Sequence, residues 1–457
     1  MTDPLAGAVP EPYWLARPGA PAPAEPLRRA ESAGLAVIGA GYSGLWTAVL
    51  AKERDPDADV VVLEASTAGW AASGRNGGFC SASLTHGFEN GLSRFPDEMP
   101  VLEKLGRANL DEIEAAVARY RIDCAFERTG ELVVATEPWQ MAELTAAARG
   151  RDLTVLDRDG VRAEVDSPTY LGGVWDRTGC AMLDPARLVW GLRRVCLELG
   201  VRLYEHTPVQ QIESRPEGLR LRTPHGSVTA RRVALATGAH GTLLRRLRHY
   251  VVPVYDYALM TEPLTPARLA SIGWRNRQGL GDAANQFHYY RLTADNRILW
   301  GGYDAVYYAG GRITAARDQR EATFRLLAEH FAETFPQLRG IRFTHKWGGV
   351  IDACSRFSAF FGTAHRGRLA YAAGYTGLGV GATRFGANVM LDLLDGRPTE
   401  LTALSMVRSR PVPFPPEPVR TGVIQLTRWS IARADRTGGR RNLWLRTLDR
   451  MGLGFDS

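Results

Sequence analysis

Lysine is nearly missing from this chain of 457 residues, occurring only at Lys52, Lys104 and Lys346, so the net charge of +7 is carried by arginine. No basic run is interleaved with aromatic side chains in the way a nucleic-acid groove requires, which argues against nucleic acid as a partner. Cysteine is scarce as well. Cys80, Cys124, Cys180, Cys196 and Cys354 are scattered, odd in number and form no C-x-x-C. Neither a disulfide framework nor a zinc site follows, and no metal is expected. The first thirty residues are rich in Pro and Ala and lack the basic-then-apolar order of a secretory signal, so a reducing, cytoplasmic setting is expected. The longest apolar run, 35–51, contains three glycines and reads as strand plus helix rather than as a membrane span.

What the chain has instead is glycine, 48 residues of it, and a length that calls for two joined domains. Buried parallel strands are predicted at 35–38, 60–63, 233–236 and 369–372, and helices at 43–54, 101–121, 185–199 and 318–335. Asp184-Pro185 supplies an N-cap and a first-turn proline for the third of these. The expected class is α/β (α+β overall): a discontinuous Rossmann-like domain from 34–122, 185–242 and 346–400, and a second domain, 123–184 and 243–345, on a mixed or antiparallel sheet. A polar arm (1–33) and a tail (401–457) flank them. The arginines from 428 to 450 are read as a solvated face of the tail.

Four glycine-rich segments carry chemistry. Gly39-Ala40-Gly41-Tyr42-Ser43-Gly44 follows an apolar strand and opens a helix, and Glu64-Ala65 ends the next strand twenty residues after Gly44. Glycines there admit a pyrophosphate to the helix N-terminus, and a carboxylate at Glu64 accepts ribose hydroxyls. Ser73-Gly74-Arg75-Asn76-Gly77-Gly78 is a run of small residues with Arg75 and Asn76 as candidate donors. Thr237-Gly238 turns after an apolar strand, with Val209 as a further expected contact. Gly374-Tyr375-Thr376-Gly377-Leu378-Gly379-Val380 breaks a strand and starts a helix whose positive end can face an anionic ring. NAD and FAD share the first fingerprint, which cannot choose between them. Gly281-Asp282-Ala283-Ala284 mimics the G-D-A-A turn of flavin hydroxylases, but leads into an aromatic strand instead of a late helix.

Together with Tyr289-Tyr290-Arg291-Leu292-Thr293-Ala294-Asp295-Asn296-Arg297, Thr334-Phe335-Pro336-Gln337-Leu338 and Trp347-Gly348-Gly349, these segments resemble the D-amino-acid-oxidase superfamily, and within it the gamma-glutamylputrescine oxidoreductases. The resemblance spans roughly 35–400. It implies FAD and oxidation of an amine C–N bond to an imine by hydride transfer to flavin N5, with O2 or an electron carrier as acceptor. Relatives acting on amino acids carry Lys or Arg in the late turn, where this chain has Leu378, Val380 and Gly381. Sarcosine-oxidase relatives attach flavin through a cysteine at a place matching Ile351. Cys354 is off that register, so non-covalent FAD is expected.

A two-residue turn at Asp295-Asn296 would pair Arg291 with Trp300 and Tyr289 with Gly302, placing Tyr289, Trp300 and Asp304 on one face. By the resemblance that face covers the flavin. Tyr289 and Trp300 are then candidate substrate walls and Asp304 a candidate ammonium partner. Lys346 is a candidate oxygen-activating cation. A dehydrogenase of D-amino or other small acids, and a flavin-binding protein without turnover, are the alternative readings.

Overall fold

Leu35-Ala36-Val37-Ile38 and Val60-Val61-Val62-Leu63 have no polar side chain to place at a surface, so both become strands covered on both faces. In the computed structural model, which describes residues 3–240 and 243–454, they pair in parallel at the centre of an eight-stranded sheet. Its order is Phe360–Ala364, Leu369–Ala373, Ser227–Leu235, Ala30–Ile38, Val60–Leu63 and Arg202–Tyr204, with Leu219–Arg222 and Gln211–Ser214 added from Ser227–Leu235. Helices Tyr42–Arg54, Pro185–Glu198 and Gly379–Asp395 pack together on one face, over a core that includes Leu45, Trp46, Leu192 and Met390. The predicted cap is present: the Asp184 side chain accepts from the Arg187 N–H, with Pro185 in the first turn. This is the expected α/β nucleotide-binding layer. Residues 1, 2, 241, 242 and 455–457, at the ends of expected segments, lie outside the described residues.

The second sheet is also eight-stranded, in the order Phe343–Ala353, Val252–Thr261, Ile298–Gly302, His288–Leu292, Gly279–Asp282, Glu131–Ala135, Gly172–Asp176 and Thr154–Leu156. All pairs are antiparallel except Gly279–Asp282 with Glu131–Ala135. Helix Glu321–Thr334 covers one face through Phe324, Leu327 and Phe331, packed in one core with Tyr257, Tyr290 and Trp300. The expected domain boundary at 346 falls inside Phe343–Ala353, a strand of this sheet, so the third nucleotide-domain block starts later.

One register differs from expectation, with a local cause. Thr293 N–H donates to Arg297 O and Asn296 N–H to Thr293 O, so three residues, not two, form the loop. Asn296 takes a left-handed conformation (φ 57°), and the Asp295 carboxylate accepts from Thr293 Oγ1 and Arg297 Nε inside the turn. The extra residue moves every partner by one: Tyr289 faces Gly301 and Tyr290 faces Trp300. A one-residue slip turns a strand over, so Trp300 leaves the Tyr289 face.

The N-terminal arm is tied down. Trp14 is buried with its Nε1–H on Asn76 O, Tyr13 bonds Asp295, and Arg17 pairs with Asp184. The tail forms helices Val419–Arg436 and Leu443–Arg450, joined by Trp444 Nε1 to Thr427 and Asn442 to Ser430. No helix among the described residues is long and apolar enough to cross a membrane.

Candidate functional site

The two sheets meet at a cavity of about 1190 Å³ that the glycine-rich segments enter from one side. The first loop is built for close approach. Gly39 has φ +104°, and a Cβ on it would lie 2.5 Å from Ala236 O. A Cβ on Gly44 would lie 1.9 Å from Gly39 O, which locks helix against strand. One on Gly41 would strike Ser73 Oγ at 2.8 Å. That hydroxyl accepts from Tyr42 N–H, binding the second loop to the first helix turn. Gly39, Gly41, Tyr42, Ser43, Glu64, Ala65, Val209, Thr237 and Gly238 all line the cavity. Gly44 does not; its work is the packing behind the loop.

Glu64 is buried at the end of its strand and accepts from Ala40 N–H (2.7 Å), Ser66 N–H (2.8 Å) and Trp70 Nε1 (2.8 Å). Burial pushes its pKa up, and those donors pull it part of the way back. In the second loop the expected donors are spent internally. Arg75 binds Asp318 (2.6 Å), Gly348 O and Trp70 O, and the Asn76 amide holds Ala72 O, Ser73 O and Gly78 N–H. Ser73, Arg75, Asn76 and Gly77 line the cavity, while Gly74 and Gly78 pack behind it.

The late turn closes the same cavity. Tyr375, Thr376, Gly377, Leu378, Gly379 and Val380 line it, and helix Gly379–Asp395 starts there. Gly377 (φ +90°) has nothing within 4 Å of a would-be Cβ, so its backbone is open to a ligand. Gly374 lies behind the turn against Cys354 and Phe360. Asp352, which sequence reading missed, holds the turn: its carboxylate accepts from Gly374 N–H (2.7 Å), and burial pushes its pKa up to about 6. Ser43 Oγ and Tyr375 OH, 3.3 Å apart, tie this turn to the first. Cys354 is buried, its thiol donating to Ser358 O and Gly374 O and its pKa raised by burial.

Of the candidate catalytic residues, Tyr289 lies in the cavity wall. Its ring rests on the open faces of Gly77 and Gly301, edge-on to Phe79 at 5.9 Å. Its hydroxyl donates to Asp256, a second missed residue, whose pKa burial pushes up to about 6. The other three are elsewhere. Trp300 is buried on the opposite face, against Tyr290 (4.5 Å) and His288 (4.9 Å). Asp304 is engaged by Arg320, Arg428 (2.5 Å) and Thr323. Lys346 is one strand position from Trp347 and so on the other face, where it pairs with Glu321 at 2.7 Å. None of these three lines the cavity.

The charges along the wall are unevenly matched. Each arginine lining the cavity meets a carboxylate: Arg75 with Asp318, Arg107 with Asp176, Arg151 with Glu103, Arg428 with Asp304. Arg384, one helical turn past the late turn, is buried against Glu112 instead. Glu131, also in the wall, has no cationic partner among the described residues and stands opposite Asp176 on the neighbouring strand. Burial, then Asp176, pushes its pKa up to about 7. A carboxylate amid apolar strand residues was the only signal for Asp256 and Glu131, and no motif surrounds either.

Residues 35–393 match the family of FAD dependent oxidoreductases, DAO. The chain belongs to this family. It is 31% identical to gamma-glutamylputrescine oxidoreductase of Escherichia coli over 419 residues, covering 88% of this chain and 92% of that one. It is 27% identical to the probable oxidoreductase OrdL of Haemophilus influenzae, covering 81% and 85%. Glycine oxidase of Geobacillus kaustophilus shares the fold, with a TM-score of 0.69 at 20% identity over 83% of this chain and 99% of that one. This DAO-family chain is therefore an FAD-dependent oxidoreductase of amines or amino acids. The dinucleotide cradle fits that cofactor: the glycines leave no room for side chains where backbone must approach it, and Glu64 stands at the ribose end of the fingerprint.

Proposed function

We propose that the chain oxidises an amine that bears no carboxylate beside the reacting carbon. The observation that carries this is the charge matching of the cavity: its arginines are paired, while Asp256 and Glu131 have no cationic partner among the described residues. A substrate carboxylate entering there would be desolvated without a partner, at a cost of several kcal/mol. A cationic amine meets two carboxylates in need of one.

Bound FAD supplies the hydride acceptor, at N5. The chain does the rest. Gly39, Gly41, Tyr42, Ser43 and Glu64 would hold the nucleotide, and the cavity-lining residues of 73–77 and 375–380 would frame the ring, with the positive end of helix Gly379–Asp395 beside it. Tyr289 forms the wall and Asp256 draws the ammonium, then takes up the proton that must leave nitrogen before hydride transfer. Hydrolysis of the imine completes the reaction. O2, giving H2O2, or another acceptor reoxidises the flavin. Cys354, turned into backbone carbonyls by its thiol, supports non-covalent FAD. The setting proposed is cytoplasmic.

The test is anaerobic. Purified protein should release FAD on acid denaturation and lose its yellow colour when given diamines or arylalkyl amines. Flavin left on the denatured chain would overturn the non-covalent attachment; a colour unchanged by every amine would overturn the activity.

A further inference from the structure

Six of the eleven large apolar side chains standing exposed among the described residues fall within 412–451. Elsewhere such residues occur singly, as on any soluble surface. Five of the six, Val419, Leu426, Trp429, Leu443 and Met451, belong to the tail's helical hairpin, while Val412 precedes it and lines the cavity. In helix Val419–Arg436, exposed Val419, Gly422, Leu426, Trp429, Arg433 and Arg436 recur every three or four residues and so form one stripe, with exposed Gln425 at its edge. Val419, Leu426 and Trp429 are 56%, 42% and 52% exposed. In helix Leu443–Arg450 and just beyond it, Leu443 and Met451 are 77% and 63% exposed, with Arg446 and Arg450 beside them. The inner sides are used already: Ile424, Ile431, Leu445 and Leu448 line the cavity.

The charge of the same segment is one-sided. Residues 412–454 hold eight arginines and three carboxylates, Glu417, Asp435 and Asp449. All three carboxylates are occupied: Glu417 by Tyr307, Asp435 by Asn285 and Gln286, Asp449 by Arg441. Arg433, Arg436, Arg440, Arg446 and Arg450 form no ion pair among the described residues. The hairpin also lies beyond residue 393, where the match to the DAO family stops.

We infer that the outer face of this hairpin docks on an anionic lipid bilayer. An apolar stripe ending in arginines suits the headgroup boundary, where Trp and Leu enter the acyl region while guanidinium groups stay with the phosphates. A second copy of the chain fits worse, since it would set five unpaired cations against five more. Because the inner side of the hairpin roofs the cavity, docking brings the bilayer to the roof of the proposed active site.

The experiment uses full-length, FAD-loaded protein floated with vesicles of equal parts phosphatidylcholine and phosphatidylglycerol, and with phosphatidylcholine alone. Binding to the mixed vesicles only, falling with added salt, is expected. Leu426→Ser/Trp429→Ser/Leu443→Ser should float roughly tenfold less while keeping its flavin spectrum. Should that variant misfold, Arg433→Glu/Arg446→Glu/Arg450→Glu, all on exposed positions, should lose binding likewise. No binding by the parent protein, or undiminished binding by a folded variant, would overturn the inference. So would a parent dimer that the serine variant turns into a monomer, because a second copy would then cover the stripe.

Discussion

The Tyr289 hydroxyl donates to the Asp256 carboxylate in the wall of the cavity, with the ring held between Gly77 and Gly301. The contact ties the second sheet to the loop of residues 73–78. Asp256, with its pKa near 6, is ionised through most of the neutral range. Flavin reduction should therefore rise with pH through about 6. Asp256→Asn should lose the lower limb and slow reduction by roughly 10²–10⁴-fold, with FAD still bound. Stopped-flow reduction at a series of pH values checks this; an unchanged lower limb assigns it to another group.

Glu131 links the site to stability. Its folded pKa of about 7 lies above its unfolded value of about 4.3, so folding favours the protonated form. That contribution is full below the unfolded value and is lost as pH rises through the folded one. Glu131→Gln should then unfold at higher temperature than the parent at pH 8, by an equivalent of about 1–3 kcal/mol, with the gap closing toward pH 4. Calorimetry at both pH values reads it, and a variant less stable at pH 8 contradicts the assigned burial.

Gly41→Val should abolish FAD retention, since its Cβ already meets Ser73 Oγ at 2.8 Å and the branch extends into the cradle. Glu64→Ala should weaken retention by only about 1.5–3 kcal/mol. Flavin content after gel filtration separates the two, and full occupancy in Gly41→Val would place the cofactor elsewhere.

Trp300 and Lys346 should behave as structure. Trp300→Ala leaves a void among Tyr290, His288 and Phe331 and should cost about 3–5 kcal/mol of stability. Lys346→Met removes the pair with Glu321 and a cation–π contact with Phe324, both away from the cavity, so flavin reduction and reoxidation rates should match the parent. Slower reoxidation in that variant would restore the lysine as an oxygen-activating cation.

The nucleotide layer was legible because its signals are local: apolar runs, glycines at fixed spacing, an Asp-Pro cap. The hairpin was not. Ala294-Asp295-Asn296-Arg297 reads as a two-residue turn, but Thr293 and Asp295 side chains together with Asn296 in the left-handed region close a longer loop. That single residue carried Trp300 to the other face. Asp256, Asp352 and Glu131 were invisible for a different reason. Each matters through what the fold brings near it, and sequence spacing carries no trace of a strand neighbour far along the chain, such as Gly279 beside Glu131 and Gly349 opposite Asp256.

The central claim is that the cavity accepts an amine and rejects a neighbouring carboxylate. The direct measurement is anaerobic flavin reduction by diamines and arylalkyl amines against D-alanine and sarcosine, under matched conditions. The account predicts rapid bleaching by the carboxylate-free amines and slow or no bleaching by the amino acids. Faster reduction by D-alanine or sarcosine would contradict it.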